Sequence, residues 1–269
     1  MNDHIVDIKS NKSIEYNSII EAVYSILLLC DYDILSPYYN NYQQEVRNYL
    51  TSHVSKDDID FFSNLSRDRF RFVIPCFFAL SLISENGVLK INNPINSYYV
   101  NRLGGEKIIH DCIYHLNCFF NDTNYLDFFF KHREMYNNYL MGFKELLYKI
   151  MNDVQTWYDC QDIHFTAYIS QLIHPGGFGV SLSPDHAKCV VGSLLQKDGS
   201  IEISLSLNVY FHEFSHHFVD QYVENNWNSI KVLFENIIYV ILMIDIVNRN
   251  SSVKQSFALY QIITVIKII

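Results

Sequence analysis

The chain has 269 residues, of which 49% are hydrophobic and 15% are aromatic, so it can bury a sizeable core and is not intrinsically disordered. Its formal net charge is -9, and it contains no basic run of five or more residues. A protein that binds the nucleic-acid backbone needs clustered lysine and arginine, so the sequence argues against a nucleic-acid partner.

Helical patterns dominate the first 158 residues. A helix is predicted after a cap at Ser13, with these apolar residues at helical spacing: Ile14, Ile19, Ile20, Val23, Ile26 and Leu27. Ser55, followed by Asp57 and Asp58, predicts another helix start. Gly104-Gly105 precedes a further helical pattern, and two more helices are expected to run to about Trp157.

The pattern changes to strands near residue 159. Strands are predicted in HFTAYISQL (164–172), AKCVVGSLL (187–195) and SIEISLSL (200–207), and Asp198-Gly199 suggests a hairpin turn between the last two. HPGGFG (174–179) is the most glycine-rich loop of the chain. The expected fold class is therefore α+β: a helical region at 1–158, then a region at 159–269 with a small antiparallel sheet and helices from Asn208 onward. The two regions are expected to pack as one compact unit.

Cysteine usage and apolar segments bear on the compartment. The six cysteines form no CxxC pair, which favours free thiols in a reducing compartment. The N-terminal segment has no apolar signal core, so a cytoplasmic location is expected. The apolar segments at 237–247 and 257–269 are shorter than a bilayer span, so they are interpreted as buried helices and no membrane span is predicted.

The segment LNVYFHEFSHHFVDQYVENNW (207–227) carries the strongest chemical signal, because His212-Glu213-Phe214-Ser215-His216 matches HExxH. Residues four apart on a helix are separated by about 40° of rotation and about 6 Å, so the two histidines can bind one zinc ion. Glu213 lies about 100° away round the helix, where it can take a proton from water. The alternative is a metal-free helix with hydrogen-bonded histidines.

An apolar stripe on the same helix favours the metal site over that alternative. The stripe faces away from the His212/His216 edge and consists of Phe211, Phe214, Phe218 and Tyr222. A helix that carries histidines by accident has no reason to place both of them opposite its apolar face.

A catalytic zinc usually has three protein ligands, so a third must be found. His217 points away from His212, and Asp220 is one further turn along a straight helix and cannot converge on the same ion. Val219 and Tyr222 stand where the metzincin pattern HExxHxxGxxH has glycine and histidine, so that branch does not fit.

Glu235 is the predicted third ligand. The helix is expected to run about 12 Å beyond His216 before a turn at Asn225–Ser229. A second helix that returns from this turn raises Glu235 by about 9 Å, close to the level of His216. Asp245 would overshoot by roughly a further 15 Å.

The arrangement resembles the gluzincin branch of the zincin metallopeptidases, in which HExxH is followed on a second helix by a glutamate ligand. It is also similar to a group of uncharacterised bacterial proteins regarded as metallopeptidases, with HPGGFG-like and HEFSH-like segments. The likeness covers His212 to Glu235 and, more loosely, the preceding hairpin. The residues after Glu235 match no further motif of the family.

This resemblance implies a zinc-dependent metallopeptidase with one catalytic zinc ion and a peptide or protein substrate. A zinc-activated water would hydrolyse the peptide bond, with Glu213 as general base. Zincins bind the substrate antiparallel to an edge strand that precedes the HExxH helix, and strands 189–195 and 201–207 are the candidates here. Additional oxyanion donors are expected among His174, Tyr210 and Tyr239, and Asp220 or Asp245 could orient the zinc histidines.

Two other hypotheses remain open from the sequence. In one, the protein is a zinc amidohydrolase with Cys189 as third ligand, as deformylase-like enzymes use a cysteine with HExxH. In the other, it is a non-catalytic helical interaction protein whose HExxH segment is metal-free or structural. The sequence gives no indication of the oligomeric state.

Overall fold

A computed structural model describes residues 4–32, 41–92, 95, 97–173, 176–192, 203–228 and 231. Its helices are α1 (Ser18–Leu29), α2 (Asn41–Leu50), α3 (Lys56–Asp68), α4 (Ile74–Leu80), α5 (Ser97–Leu103), α6 (Glu106–Asp122), α7 (Tyr125–Lys131), α8 (Arg133–Trp157) and α9 (Ile203–Asn225). Its strands are β1 (His4–Lys9), β2 (Lys12–Asn17), β3 (Leu82–Glu85), β4 (Val88–Ile91), β5 (His164–Ser170), β6 (Gly177–Ser183) and β7 (His186–Gly192).

Five of these strands form one sheet in the order β1-β2-β5-β7-β6, while β3 and β4 form a separate hairpin. The pairs β2/β5 and β5/β7 are parallel, whereas β1/β2 and β6/β7 are antiparallel. The α+β class is confirmed, but the expectation of an antiparallel sheet is wrong because the sheet is mixed. The burial of the central strand β5 fits its parallel neighbours, since six of its seven residues are buried.

The N-terminal helix begins later than its apolar spacing suggested. Ile14 lies in β2, where it alternates with half-buried neighbours, and the cap of α1 is Asn17, not Ser13. The Asn17 side chain accepts hydrogen bonds from the amides of Ile19 and Ile20. Ile14 has the sequence spacing of a residue in the first turn of α1, although it belongs to the preceding strand.

The other predicted helix boundaries in this region are confirmed. Ser55 caps α3 by accepting from the amide of Asp58 at 3.1 Å. Gly105 precedes α6 with a φ of 104°, a conformation that glycine adopts readily, and α8 ends at Trp157.

The start of α9 corrects the prediction of a last strand at 200–207. The helix begins at Ile203, so Ile203–Leu207 is helical, and the strand reading of this part is wrong. A five-residue alternation is a weak signal, and extending a long helix adds one hydrogen bond for each residue fixed. The helix ends at Asn225, where the sequence predicted its stop.

The contacts divide the chain into two compact units, Met1–Val219 and Asp220–Ile269. The first unit contains the whole five-stranded sheet. In this sheet β1 and β2, which come from the region predicted as helical (1–158), join strands from the region 159–269. All six cysteines are free. Within the described residues, no helix combines the length and the apolar character needed to cross a bilayer.

Candidate metal centre

The two histidines of the HExxH segment lie on one edge of α9, one turn apart. Their ring centroids are 4.8 Å apart and the rings are nearly perpendicular, at 84°. His212 is exposed, and the side chain of His216 is 37% exposed, so both can be reached from solvent. The helix therefore presents two imidazoles on an accessible surface.

Glu213 completes the group of potential metal ligands found among the described residues. One ligand atom from each of His212, Glu213 and His216 lies within 4.8 Å of the others. Donor atoms bound to one tetrahedral zinc ion are separated by roughly 3.3–3.5 Å, given bonds of about 2.0–2.1 Å, so small side-chain rotations would bring the imidazoles to the ion. The donor set suits zinc, which prefers imidazole nitrogen and carboxylate oxygen.

The carboxylate of Glu213 also contacts the sheet. The amide of Gly179 donates a hydrogen bond to its Oε2 at 2.7 Å, and this Oε2 lies 3.9 Å from Nε2 of His216. Gly179 belongs to β6, which is the last strand in the sheet order. The edge strand beside the HExxH helix is therefore β6.

This position of β6 corrects both candidate edge strands from the sequence. Residues 189–192 belong to β7, which lies between β5 and β6 and is not at an edge. In the other candidate, residues 203–207 belong to α9. The glycine-rich start of β6 concealed the true edge strand, because glycine weakens strand patterns.

Aromatic packing holds α9 against the sheet and α8. Phe214 is fully buried and packs edge-on against Phe165 of β5, with ring centroids 5.5 Å apart. Phe218 stacks on Tyr158 at 4.3 Å. The predicted apolar stripe is thus confirmed at these positions, but Tyr222 is 55% exposed and does not extend it.

His217 fixes the helix to the end of β6. Its Nε2 lies 3.1 Å from the carbonyl oxygen of Pro184, and its Nδ1 lies 3.3 Å from the hydroxyl of Ser181. Burial lowers the pKa of His217, which favours the neutral ring. His217 therefore points away from the other two histidines, as predicted, and has a positioning contact that the sequence did not suggest.

Two other candidate residues are buried. The Cys189 thiol in β7 is fully buried, and desolvation, followed by the nearby Glu213 and Cys76, raises its pKa well above the ordinary value. Tyr210 is 1% exposed, and its hydroxyl donates to the carbonyl oxygen of Gly192 at 3.5 Å. Neither environment favours the role considered for it, because a ligand needs a thiolate and an oxyanion donor needs access to substrate.

Four candidates lie outside the described residues: Glu235, His174, Tyr239 and Asp245. Asp220 is described and is exposed. The hydrogen bond from the Gly179 amide to Glu213 is not predicted by the sequence, although the glycine-rich motif HPGGFG ends at this residue.

These observations define the class of the protein: it is an α+β protein in which an HExxH helix packs against the edge of a mixed sheet. The chain belongs to the family described as a domain of unknown function, DUF4932, whose pattern matches residues 11–242. No curated protein matches the chain at a significant level, and no solved structure does.

Proposed function

We propose that this protein is a zinc-dependent metallopeptidase of the zincin type. The observation that carries the proposal is the clustering of His212, Glu213 and His216, with potential ligand atoms within 4.8 Å, beside an edge strand. The two histidines can serve as zinc ligands, and the edge strand can bind a peptide substrate by main-chain pairing. The gluzincin resemblance of the sequence links the two.

Each residue of the cluster has a distinct part in this proposal. His212 and His216 would hold the zinc ion, and Glu235 remains the proposed third ligand. A zinc ion held there would lower the pKa of a bound water molecule and polarise the substrate carbonyl. Glu213 is the general base that accepts the proton of the water and passes it to the leaving amine.

The outer edge of β6, beside which no further strand is found among the described residues, supports a peptide as substrate. The amide of Gly192 donates to the carbonyl of Gly176, so these two residues form a hydrogen-bonded pair of the antiparallel strands β6 and β7. From this pair onward, hydrogen-bonded and non-hydrogen-bonded residue pairs alternate along the register. The main-chain groups of Gly177, Gly179 and Ser181 consequently point away from β7. Because the Gly179 amide is bonded to Glu213, an extended peptide can pair as an added strand with the remaining groups, at Gly177 and Ser181.

The cysteine alternative has less support. Cys189 is outside the ligand group found among the described residues, and its raised pKa disfavours the thiolate that binds zinc. No described contact specifically favours the non-catalytic interaction hypothesis, and the metal measurement below separates it from the enzyme.

The test combines metal analysis with an assay on an unstructured protein such as casein. We expect close to one zinc per chain after purification with zinc, and hydrolysis that a chelator abolishes. Glu213→Gln should keep the zinc and lose hydrolysis by roughly 10²-fold or more, because the general base is gone. Less than about 0.2 zinc per chain would contradict the proposal, because a catalytic zincin-type site should retain its metal.

A further inference from the structure

Gly179 is placed so that its amide faces the proposed catalytic helix and not its strand partner. In the register of β6 with β7, Gly179 is opposite Cys189 in a non-bonded pair, which directs its amide away from β7. There it meets Oε2 of Glu213 at 2.7 Å. The distance is that of a strong, charge-assisted hydrogen bond.

No side chain can be added at this position without moving the helix. A Cβ on Gly179 would lie 2.1 Å from the carbonyl oxygen of Glu213 and 2.7 Å from Cβ of His216. At Gly177 the nearest approach would be milder, 2.9 Å to the carbonyl oxygen of Val190 and 3.1 Å to Cγ of Glu213. The strand therefore touches the one turn of α9 that carries the base and a metal histidine.

This contact affects whether Glu213 acts as the general base or binds the metal. A carboxylate is itself a good zinc ligand, and Glu213 has an oxygen within 4.8 Å of the donor atoms of both histidines. If it bound the ion, it would fill the position that a catalytic zinc keeps open and could no longer act as the base. The role of a base therefore requires an interaction that holds the Glu213 carboxylate next to β6.

We propose that Gly179 is the positioning residue for Glu213: its amide keeps the carboxylate on β6, so that Glu213 serves as the base and not as a metal ligand. The inference rests on the proposed function. It assigns no chemistry to Gly179 itself, which acts only through Glu213.

The amide of Gly179 can be observed directly by NMR. Phe178-Gly179 is the one Phe-Gly pair in the sequence, so labelling phenylalanine with ¹³C at the carbonyl and glycine with ¹⁵N selects a single amide signal. A short bond to a carboxylate shifts this proton downfield. We expect Glu213→Gln to move it upfield and to speed its hydrogen exchange, because the charge is removed. Asp220→Asn removes an acid from the same helix and should leave the signal in place.

Zinc is then added to the wild-type protein. The signal should stay downfield, because Glu213 remains on the strand. An upfield shift on zinc binding, or no response to Glu213→Gln, would overturn the role of Gly179. These outcomes are distinct from failure of the proposed function, which would be absence of zinc binding in the metal analysis.

A backbone change tests the effect on hydrolysis without adding a side chain. Replacing Gly179 by glycolate converts its amide into an ester and removes the donor. We expect kcat to fall about 10–100-fold, as for loss of other groups that orient a catalytic residue, while KM and zinc content stay nearly unchanged. The same exchange at Gly87, in the turn of the separate β3/β4 hairpin, is the control, and an equal loss of kcat there would contradict the proposal.

Discussion

Nε2 of His217 lies 3.1 Å from the carbonyl oxygen of Pro184, so the residue next to a proposed zinc ligand ties α9 to the turn between β6 and β7. A carbonyl oxygen can only accept, so Nε2 carries the proton and Nδ1 is the acceptor for the Ser181 hydroxyl at 3.3 Å. With the Gly179–Glu213 bond, this gives the helix two polar attachments to the edge strand.

Replacing His217 by alanine should lower stability without removing the metal. Loss of the buried bond to Pro184 is expected to reduce the free energy of unfolding by about 1–3 kcal/mol, measured by urea denaturation. Zinc content should be unchanged. A double-mutant cycle with Ser181→Ala should show coupling of roughly 0.5 kcal/mol or more, since the two side chains are in contact. Loss of zinc in His217→Ala would mean that this histidine is a ligand after all.

The two proposed zinc histidines should behave in the opposite way. His212→Ala and His216→Ala remove imidazoles that are exposed or half-exposed, so each should fold with little loss of stability. Each should lose most of its bound zinc, because two remaining ligands hold the ion poorly. Metal analysis after dialysis measures this, and His110→Ala, an exposed histidine on α6, is the control that should keep full zinc content.

The identity of the third ligand can be decided with two variants. Glu235→Ala should weaken zinc binding at least about 10-fold, because even residues that only orient a ligand are worth that much. Cys189→Ala should leave zinc affinity unchanged, as expected for a fully buried thiol with a raised pKa. Affinity is measured by competition with a chromophoric chelator. The opposite pattern would favour the cysteine-ligand amidohydrolase.

Local signals explain which parts of the fold could be predicted from the sequence. Ser55 and Gly105 act on neighbouring residues, so the starts of α3 and α6 were predicted correctly. The hairpin β3/β4 also carries a local signal, because its turn is Asn86-Gly87, with φ of 55° and 81° at the two residues.

Partners distant in sequence account for the remaining errors. β2 pairs with β1, its neighbour along the chain, but the pairing that places it inside the sheet is with β5, some 150 residues further along. The spacing of HExxH predicts that His212 and His216 lie together, because a helix fixes their relative positions by itself. The role of Gly179 depends on Glu213, 34 residues away, and no short pattern encodes that contact.

A buried carboxyl group leads to the last prediction, on stability and pH. Glu21 in α1 is fully buried, and desolvation raises its pKa to about 7, although the hydroxyl of Tyr42 donates to it at 3.3 Å. In the unfolded chain the group ionises near its ordinary pKa of 4.5. Between these two values the folded state holds a proton that the unfolded state has lost.

The contribution of Glu21 to stability is therefore full below about pH 4.5 and disappears as the pH rises through about 7. We expect Glu21→Gln, which cannot ionise, to be more stable than the wild type at pH 8 by roughly 2–4 kcal/mol, and to differ little at pH 4.5. Urea denaturation at both pH values measures the difference, in which contributions from other groups cancel. Glu134→Gln, at an exposed position on α8, should follow the wild type at both pH values. An advantage of Glu21→Gln that is the same at pH 4.5 and pH 8 would show that Glu21 does not titrate in this range.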